Sequence, residues 1–150
     1  MMVSMARRPT ERADLLDRLS QDHDEELAHA GRLRRAAEQP PEQRNSAALD
    51  YTAAFLSDTL VHFRHEEERL FPIYVRHAGT TPLLQRILTE HMELQGLVRT
   101  LRTHAVAGGV SRDELRSLAD LVEQHVHVEQ DELFTAIRAA VPAHELDAAW

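Results

Sequence analysis

The stretch HFRHEEERLF, which runs from His62 to Phe71, decides the fold of this chain. Residues four apart on an α-helix lie about 40° and about 6 Å apart on one face, so the side chains of His62 and Glu66 can reach one point. The chain repeats the pattern 63 positions later, where HVHVEQDELF places His125 and Glu129 at the same spacing. The sequence therefore predicts two helices that each present a histidine and a glutamate to a common centre.

A single histidine precedes each copy on an earlier helical segment. His23 lies in QDHDEEL before the first copy, and His91 lies in TEHMELQ before the second. Imidazoles and carboxylates that converge from four helices suit iron, manganese or zinc, and two bridging carboxylates suit a pair of ions better than one ion. The predicted metal ligands are His23, His62, Glu66, His91, His125 and Glu129.

A pair of ions at this centre would leave room for a further ligand. If both glutamates bridge, the six residues supply about eight bonds, and a shared water-derived oxygen raises the total to about ten of the roughly twelve that two octahedral ions take. About one open position per ion would remain, and dioxygen, nitric oxide or peroxide can bind there. The pattern therefore predicts a site for a small oxidant.

Single motifs in this chain have simpler explanations, and the repeated order outweighs them. A histidine on an apolar helical stripe is more often a packed core residue than a ligand. Ferritin-like sites need a Glu-x-x-His pair on each of two helices, and this chain has one, from Glu26 to His29. A zinc-protease HExxH motif beginning at His65 fails because Arg69 occupies its closing position.

Length and composition predict a single helical domain. The chain has 150 residues, 43% of them hydrophobic, with few glycines and prolines (Gly 5, Pro 6). Start and stop signals, of which Thr10 is the first, predict four helices. These helices lie at about 11–38, 45–77, 82–107 and 112–140. Pro72 lies inside the second of them, where it predicts a kink.

We therefore expect an all-α fold, an up-down-up-down antiparallel four-helix bundle. One domain is predicted over residues 1–150, with its core at about 12–140. A short C-terminal tail follows, in which Leu146 and Trp150 are candidates to pack on the bundle.

Charge and cysteine content restrict the partners and the compartment. The formal net charge is −8, with acids and bases interspersed and no basic patch, so neither nucleic acid nor a membrane is an expected partner. The chain has no cysteine, which excludes disulfides, thiolate zinc sites and iron–sulfur clusters. No signal-peptide core or apolar span is present, so we expect a cytoplasmic monomer or homodimer.

The segment HFRHEEERLFP, the second copy HVHVEQDELF and the two isolated histidines resemble the hemerythrin-like, or HHE cation-binding, family over about residues 12–140. The resemblance implies a four-helix bundle around a non-haem di-iron centre held by the six residues named above. It also implies that the cofactor is two oxo- or hydroxo-bridged iron ions, in preference to zinc or manganese.

The chain departs from the oxygen-carrying hemerythrins at two positions. Gln95 stands where those proteins have a further ligand histidine, and Gln130 stands where their last carboxylate ligand is an aspartate. The loss of that histidine opens a position on the second iron, where Gln95 could hold a water or an exogenous ligand. The pattern is closer to family members that sense oxygen, nitric oxide or iron, or that handle peroxide.

Three functions remain open from the sequence. The first is a redox-active protein that binds dioxygen or nitric oxide, or decomposes peroxide, under oxidative or nitrosative stress. If it turns over, it is a di-iron oxidoreductase that consumes peroxide or nitric oxide. The second is an oxygen or iron sensor, or an iron reservoir, without turnover. The third is a metal-free interaction bundle.

The remaining polar and aromatic residues receive non-ligand interpretations. The acidic run at 22–26 is predicted to be a solvated helix face, and Glu67 and Asp131 either orient ligand histidines or lie exposed. His65 and His127 turn away from the ligand stripe, with a role beside the ligands left open. Surface positions are predicted for His29, His77, His104 and His144, and core positions, with redox activity as the alternative, for Tyr51 and Tyr74.

Overall fold

The computed structural model describes residues 13–149, and this part of the chain is helical, without strands. Its α-helices are α1 (Leu15–Ala37), α2 (Pro41–Ala54), α3 (Leu60–His65), α4 (Phe71–Ala78), α5 (Pro82–Val106), α6 (Arg112–Val128), α7 (Phe134–Ala140) and α8 (Ala143–Ala148). Three π-helical turns, Phe55–Thr59, Glu66–Leu70 and Glu129–Leu133, join some of these helices, so residues 41–78 and 112–140 are continuous helical runs. Within residues 13–149, no helix has the length and apolar character needed to cross a membrane.

Most helix ends lie where the sequence signals predicted them. The Thr81 side chain accepts a hydrogen bond from the backbone N–H of Leu84, with Pro82 as the first residue of α5. Gly108, at φ 77°, follows the end of α5. Ser111 caps α6 by accepting from the N–H of Glu114.

Two helix starts differ from the sequence expectation. The second run begins at Pro41 rather than near residue 45, because the fixed φ of proline suits a first helical position. At the amino end, Asp14 caps α1 in a reciprocal capping box with Asp17, whereas the predicted cap, Thr10, lies outside the described residues. At the other end Leu146 is buried as predicted, and Trp150 lies outside the described residues.

Pro72, where the sequence predicts a kink, lies just after a π-helical turn. The turn Glu66–Leu70 ends just before α4, whose second residue is Pro72. The corresponding turn Glu129–Leu133 leads into α7 without a proline. Proline is therefore not the cause that the two turns share. Both turns begin at a predicted ligand glutamate, and single π-helical turns are frequent at functional sites.

The hydrophobic core forms two clusters, and the predicted ligands lie where one cluster gives way to the other. Along α1, Leu15, Leu16 and Leu19 belong to one cluster and Leu33 belongs to the other, with His23 between them. The same change occurs around the predicted ligands of the runs 41–78 and 112–140 and of α5. A buried polar layer therefore crosses an otherwise apolar interior.

Candidate metal centre

All six predicted ligands meet in this polar layer, and each is at most 2% exposed. His23 lies on α1, His62 on α3, His91 on α5 and His125 on α6. Glu66 and Glu129 are the first residues of two π-helical turns. The side chains form two groups whose ligand atoms lie close enough to hold a metal ion each. The groups are His23, His62, Glu66 and Glu129, and His91, His125 and Glu129.

In the first group, carboxylate oxygens and imidazole nitrogens lie at the separations expected of neighbouring ligands. His23 Nε2 is 2.8 Å and His62 Nε2 is 3.3 Å from Glu129 Oε1. His62 Nε2 is also 3.2 Å from Glu66 Oε1. Ligand atoms with metal bonds of about 2.1 Å at right angles lie about 3 Å apart. One ion therefore fits among these atoms.

The second group uses the other oxygen of Glu129. His125 Nε2 is 3.2 Å and His91 Nε2 is 3.5 Å from Glu129 Oε2. His91 Nε2 is also 3.4 Å from Glu66 Oε1, the oxygen that lies near His62 in the first group. Glu129 thus directs one oxygen to each group, and Glu66 lies between them. Glu129 could therefore bridge two ions through its two oxygens, whereas Glu66 brings a single oxygen, Oε1, near a histidine of each group.

Outer residues orient the two histidines of the first group. His23 Nδ1 lies 2.7 Å from Gln130 Oε1, and His62 Nδ1 lies 2.9 Å from Asp22 Oδ2. If each Nδ1 donates its proton to the outer oxygen, each Nε2 is left with a lone pair that faces the centre. Gln130, which the sequence shows only as a departure from the oxygen carriers, thus positions His23.

The second group has corresponding outer partners. His125 Nδ1 lies 2.9 Å from Glu90 Oε1 in the interior. His91 Nδ1 lies 3.4 Å from Glu67 Oε2, an ion-pair distance without hydrogen-bond geometry. Glu67 is thus an exposed acid that faces His91 without a hydrogen bond, so its role in orienting that histidine stays a prediction. Glu90 was not singled out from the sequence, although it directly precedes His91 and is buried beside His125.

Buried polar atoms without a hydrogen-bond partner concentrate at this centre. Within the described chain they are Glu26 Oε1, His29 Nε2, both carboxylate oxygens of Glu66, both ring nitrogens of His91, His125 Nε2 and Glu129 Oε2. Buried polar groups are nearly always hydrogen-bonded, and a bare cluster of this size is costly. Cations would satisfy the glutamate oxygens and the histidine Nε2 atoms together, so the residues fit a pair of metal ions.

The metal-free centre holds protons in place of cations. Burial lowers the pKa of His91, but Glu129 and Glu66 outweigh it and raise that pKa to about 11. Burial likewise opposes the shift of His125, whose pKa Glu129 and Glu90 raise to about 9. A metal must therefore displace protons from these imidazoles, and its binding strengthens as the pH rises.

Two predicted surface residues are in fact buried. Glu26 belongs to the run expected to be a solvated face, yet it is 4% exposed, and its Oε1 lies 4.0 Å from His62 Nε2. Burial raises the pKa of Glu26 to about 7. His29 is buried too, and Arg32 contacts its Nδ1 at 2.7 Å. The spacing of Glu26 could have indicated its burial, because it lies three residues after His23 on the same face of the helix.

The other predictions for non-ligand residues agree with the structure. His77, His104, His127 and His144 are exposed, His65 is half-buried, and Tyr51 and Tyr74 are buried in the core. Gln95 is half-buried on α5. Its contact with an exogenous ligand stays a prediction.

Comparison with known proteins agrees with this geometry. The family model of the hemerythrin HHE cation binding domain matches residues 14–137. A protein of Nostoc sp. (strain PCC 7120) described as a DNA nickase is 32% identical over 89 residues, which are 59% of this chain and 25% of that protein. The match therefore spans about a quarter of the length of this curated relative. No solved structure matches the chain.

Proposed function

Because the chain belongs to the hemerythrin HHE cation-binding family, we propose that it is a non-haem di-iron protein that binds or reduces dioxygen, nitric oxide or peroxide. Its role would be in the response to oxidative or nitrosative stress in the cytoplasm. The proposed ligands are His23, His62, Glu66 and Glu129 for one iron, and His91, His125 and Glu129, with Glu66 adjacent, for the other.

The observation that carries this proposal is the shared carboxylate of Glu129. One of its oxygens lies 2.8 Å from His23 Nε2, and the other lies 3.2 Å from His125 Nε2. A single ion does not need two separate histidine groups at the two oxygens of one carboxylate. The unpartnered oxygens of Glu66 beside both groups support a pair of ions as well.

A bound pair of irons would supply redox equivalents and open coordination positions for a small oxidant. The protein's own contribution is to orient the imidazoles and to exclude water. The Phe63 ring stacks on His91 with ring centroids 3.8 Å apart and an angle of 9° between the planes. Phe134 stacks on His23 at 5.1 Å. These rings restrict the imidazoles and shield them from solvent, which strengthens the electrostatic interactions at the centre.

The same proposal includes an up-down-up-down four-helix bundle formed by α1, the run 41–78, α5 and the run 112–140. The connections between them, at 38–40, 79–81 and 107–111, are short, and short connections favour antiparallel neighbours. The helix α1 packs on α2 and α6, and α5 packs on the same two helices. The convergence of ligands from all four runs supports this arrangement.

The likeness to the DNA nickase does not change the proposal. Binding to a DNA backbone relies on lysine and arginine contacts to phosphate. This chain has a formal net charge of −8, and its candidate metal ligands are buried rather than on a surface that a duplex could reach.

Elemental analysis combined with absorption spectroscopy tests the function. We expect about two irons per chain in aerobically purified protein, with near-ultraviolet bands that change when peroxide is added, and loss of peroxide over repeated additions. Iron without any response would favour a sensor or a reservoir. Well-folded protein that binds no metal would favour the interaction bundle and contradict the proposal.

A further inference from the structure

A cleft leads from solvent to the first ligand group. It lies between α1 and residues 57–65 and has a volume of about 470 Å³. The ligand His62 lines it, together with four carboxylates, from Asp22, Glu25, Glu26 and Asp58. None of the described residues that line this cleft is a lysine or an arginine.

The carboxylates of the cleft extend from the surface to the interior. Glu25 and Asp58 are exposed at its outer part, and Asp22 is half-exposed. Asp58 is held there by the π-helical turn Phe55–Thr59. A cleft lined by charges of one sign raises the local concentration of counter-ions. The cleft therefore attracts cations and offers no electrostatic advantage to a neutral oxidant.

Glu26 is the innermost of these carboxylates and differs from the other three in its surroundings. It is 4% exposed, and its Oε1 has no hydrogen-bond partner. That oxygen lies 4.0 Å from His62 Nε2. Glu26 belongs to neither of the two groups that could hold a metal ion. A buried, unsatisfied carboxylate thus lies beside His62, where the acidic cleft meets the first ligand group.

The acidic cleft does not reach the histidines of the second ligand group. Neither His91 nor His125 lines the acidic cleft. A void beside His125 and Glu26 has a volume of about 10 Å³, which is room for about one water molecule. A hydrated divalent cation does not fit there. A cation that enters from the acidic cleft therefore meets the first group before the second.

We propose that Glu26 is a transit ligand that transfers divalent cations from the acidic cleft to His62 and the first ligand group. The inference rests on the proposed metal-binding function. A cation that leaves water must exchange its hydration shell for protein oxygens, and Glu26 provides such an oxygen one step before the final site. Once the cation has moved on, Glu26 is free to receive the next one.

The test is the rate of iron uptake by the metal-free protein. Fe²⁺ is mixed anaerobically with the chain, and uptake is stopped at intervals with a chelator. We expect Glu26→Gln to slow uptake about 10-fold, within the range attributed to charged clefts, while the final content stays at the wild-type value. Glu26→Asp, which keeps the charge, should recover part of the rate. Glu93→Gln, an exposed change on α5 outside the cleft, should leave uptake unchanged.

Iron release can be measured for variants whose metal-free form is too unstable for an uptake experiment. Release of iron from the loaded protein to an excess of chelator uses the same route in reverse, so Glu26→Gln should slow it as well. Asp58→Asn, at the exposed end of the cleft, should slow uptake by a smaller factor that disappears at high salt, because salt screens exposed charges.

Three results separate the outcomes. Uptake and release by Glu26→Gln at wild-type rates would overturn the transit role. A lower final iron content in Glu26→Gln would also overturn it, because Glu26 would then be a permanent ligand. Wild-type protein that takes up no iron would instead refute the proposed function itself.

Discussion

The two ligand groups of the centre have matching sequence motifs but different surroundings. The first group borders an acidic cleft, which His62 and Glu26 both line. The second group lies beneath aromatic rings, with Phe63 stacked on His91 at 3.8 Å and Phe71 at 6.1 Å. We call the half that the acidic cleft reaches the open half, and the half that this cleft does not reach the closed half.

Two of the outer partners follow the same division, whereas the Glu67 side chain, which faces His91 in the closed half, is 40% exposed. Asp22, which contacts His62, has a side chain that is 50% exposed, whereas Glu90, which contacts His125, is 11% exposed. Hydrogen bonds are electrostatically stronger where water is excluded. We therefore infer that the closed half holds its ion more firmly, and that the open half is the one that exchanges.

The largest effect is expected from a change at Glu129, which affects both halves. Glu129 supplies one oxygen to each group, so Glu129→Ala should abolish stoichiometric binding of both irons. It also leaves buried imidazoles without their countercharge, and loss of one partner from a buried ion pair costs about 3–5 kcal/mol in the free energy of unfolding. Elemental analysis and urea denaturation measure the two effects.

Glu132→Ala is the matched control, because Glu132 is an exposed acid in the same π-helical turn. It should bind two irons and unfold within about 0.5 kcal/mol of the wild type. Retention of two irons by Glu129→Ala would remove the basis for the shared site.

The second effect is a pH dependence that both halves share, because the carboxylates of the centre outweigh burial and raise the pKa of His62 and of His23 as well. In the metal-free protein, Glu129 and its neighbours outweigh burial and raise the pKa of His91 to about 11 and that of His125 to about 9, from 6.5. Raised histidine pKa values contribute stability that is complete below about pH 6.5 and is lost as the pH rises through the folded values. With chelator present, the urea midpoint should therefore fall between about pH 7 and pH 11.

Iron-loaded protein should not show this loss, because the cations have already displaced the protons. A urea midpoint of the metal-free protein that stays constant or increases over this range would show that His91 and His125 are not held protonated by the glutamates.

The smallest expected effect is a loss of iron affinity when an outer partner of a histidine is changed. Glu90→Gln should weaken iron affinity about 10-fold, since outer partners of ligand histidines contribute at least that much. Asp22→Asn should weaken affinity less, because water can replace the half-exposed carboxylate. Chelator competition measures both, and the exposed Asp24→Asn serves as the control. A larger effect for Asp22→Asn would reverse the assignment of the open and closed halves.

The convergence of the candidate ligands was predictable because helical spacing and repetition act over a few residues. His62 and Glu66 share one helical face whatever surrounds them, and the second copy repeats that constraint. The caps Thr81 and Ser111 were predictable for the same local reason. In the described chain these local signals place both helix starts correctly.

The surroundings of the candidate ligands were harder to predict from the sequence. A run of acids suggests a solvated face, yet the Glu26 side chain turns inward beside His62. Glu90 contacts His125 on another helix, and that contact depends on how the helices pack. The π-helical turns add a residue to a turn, which shifts the faces that a regular 3.6-residue pattern predicts. The structure was therefore needed to identify the half of the centre that borders the acidic cleft.

An anaerobic titration of the metal-free chain with Fe²⁺ tests the two-metal centre most directly. We predict uptake that ends at two equivalents per chain in the wild type and at none in Glu129→Ala. Uptake that ends at one equivalent, or uptake that Glu129→Ala leaves unchanged, would contradict this prediction.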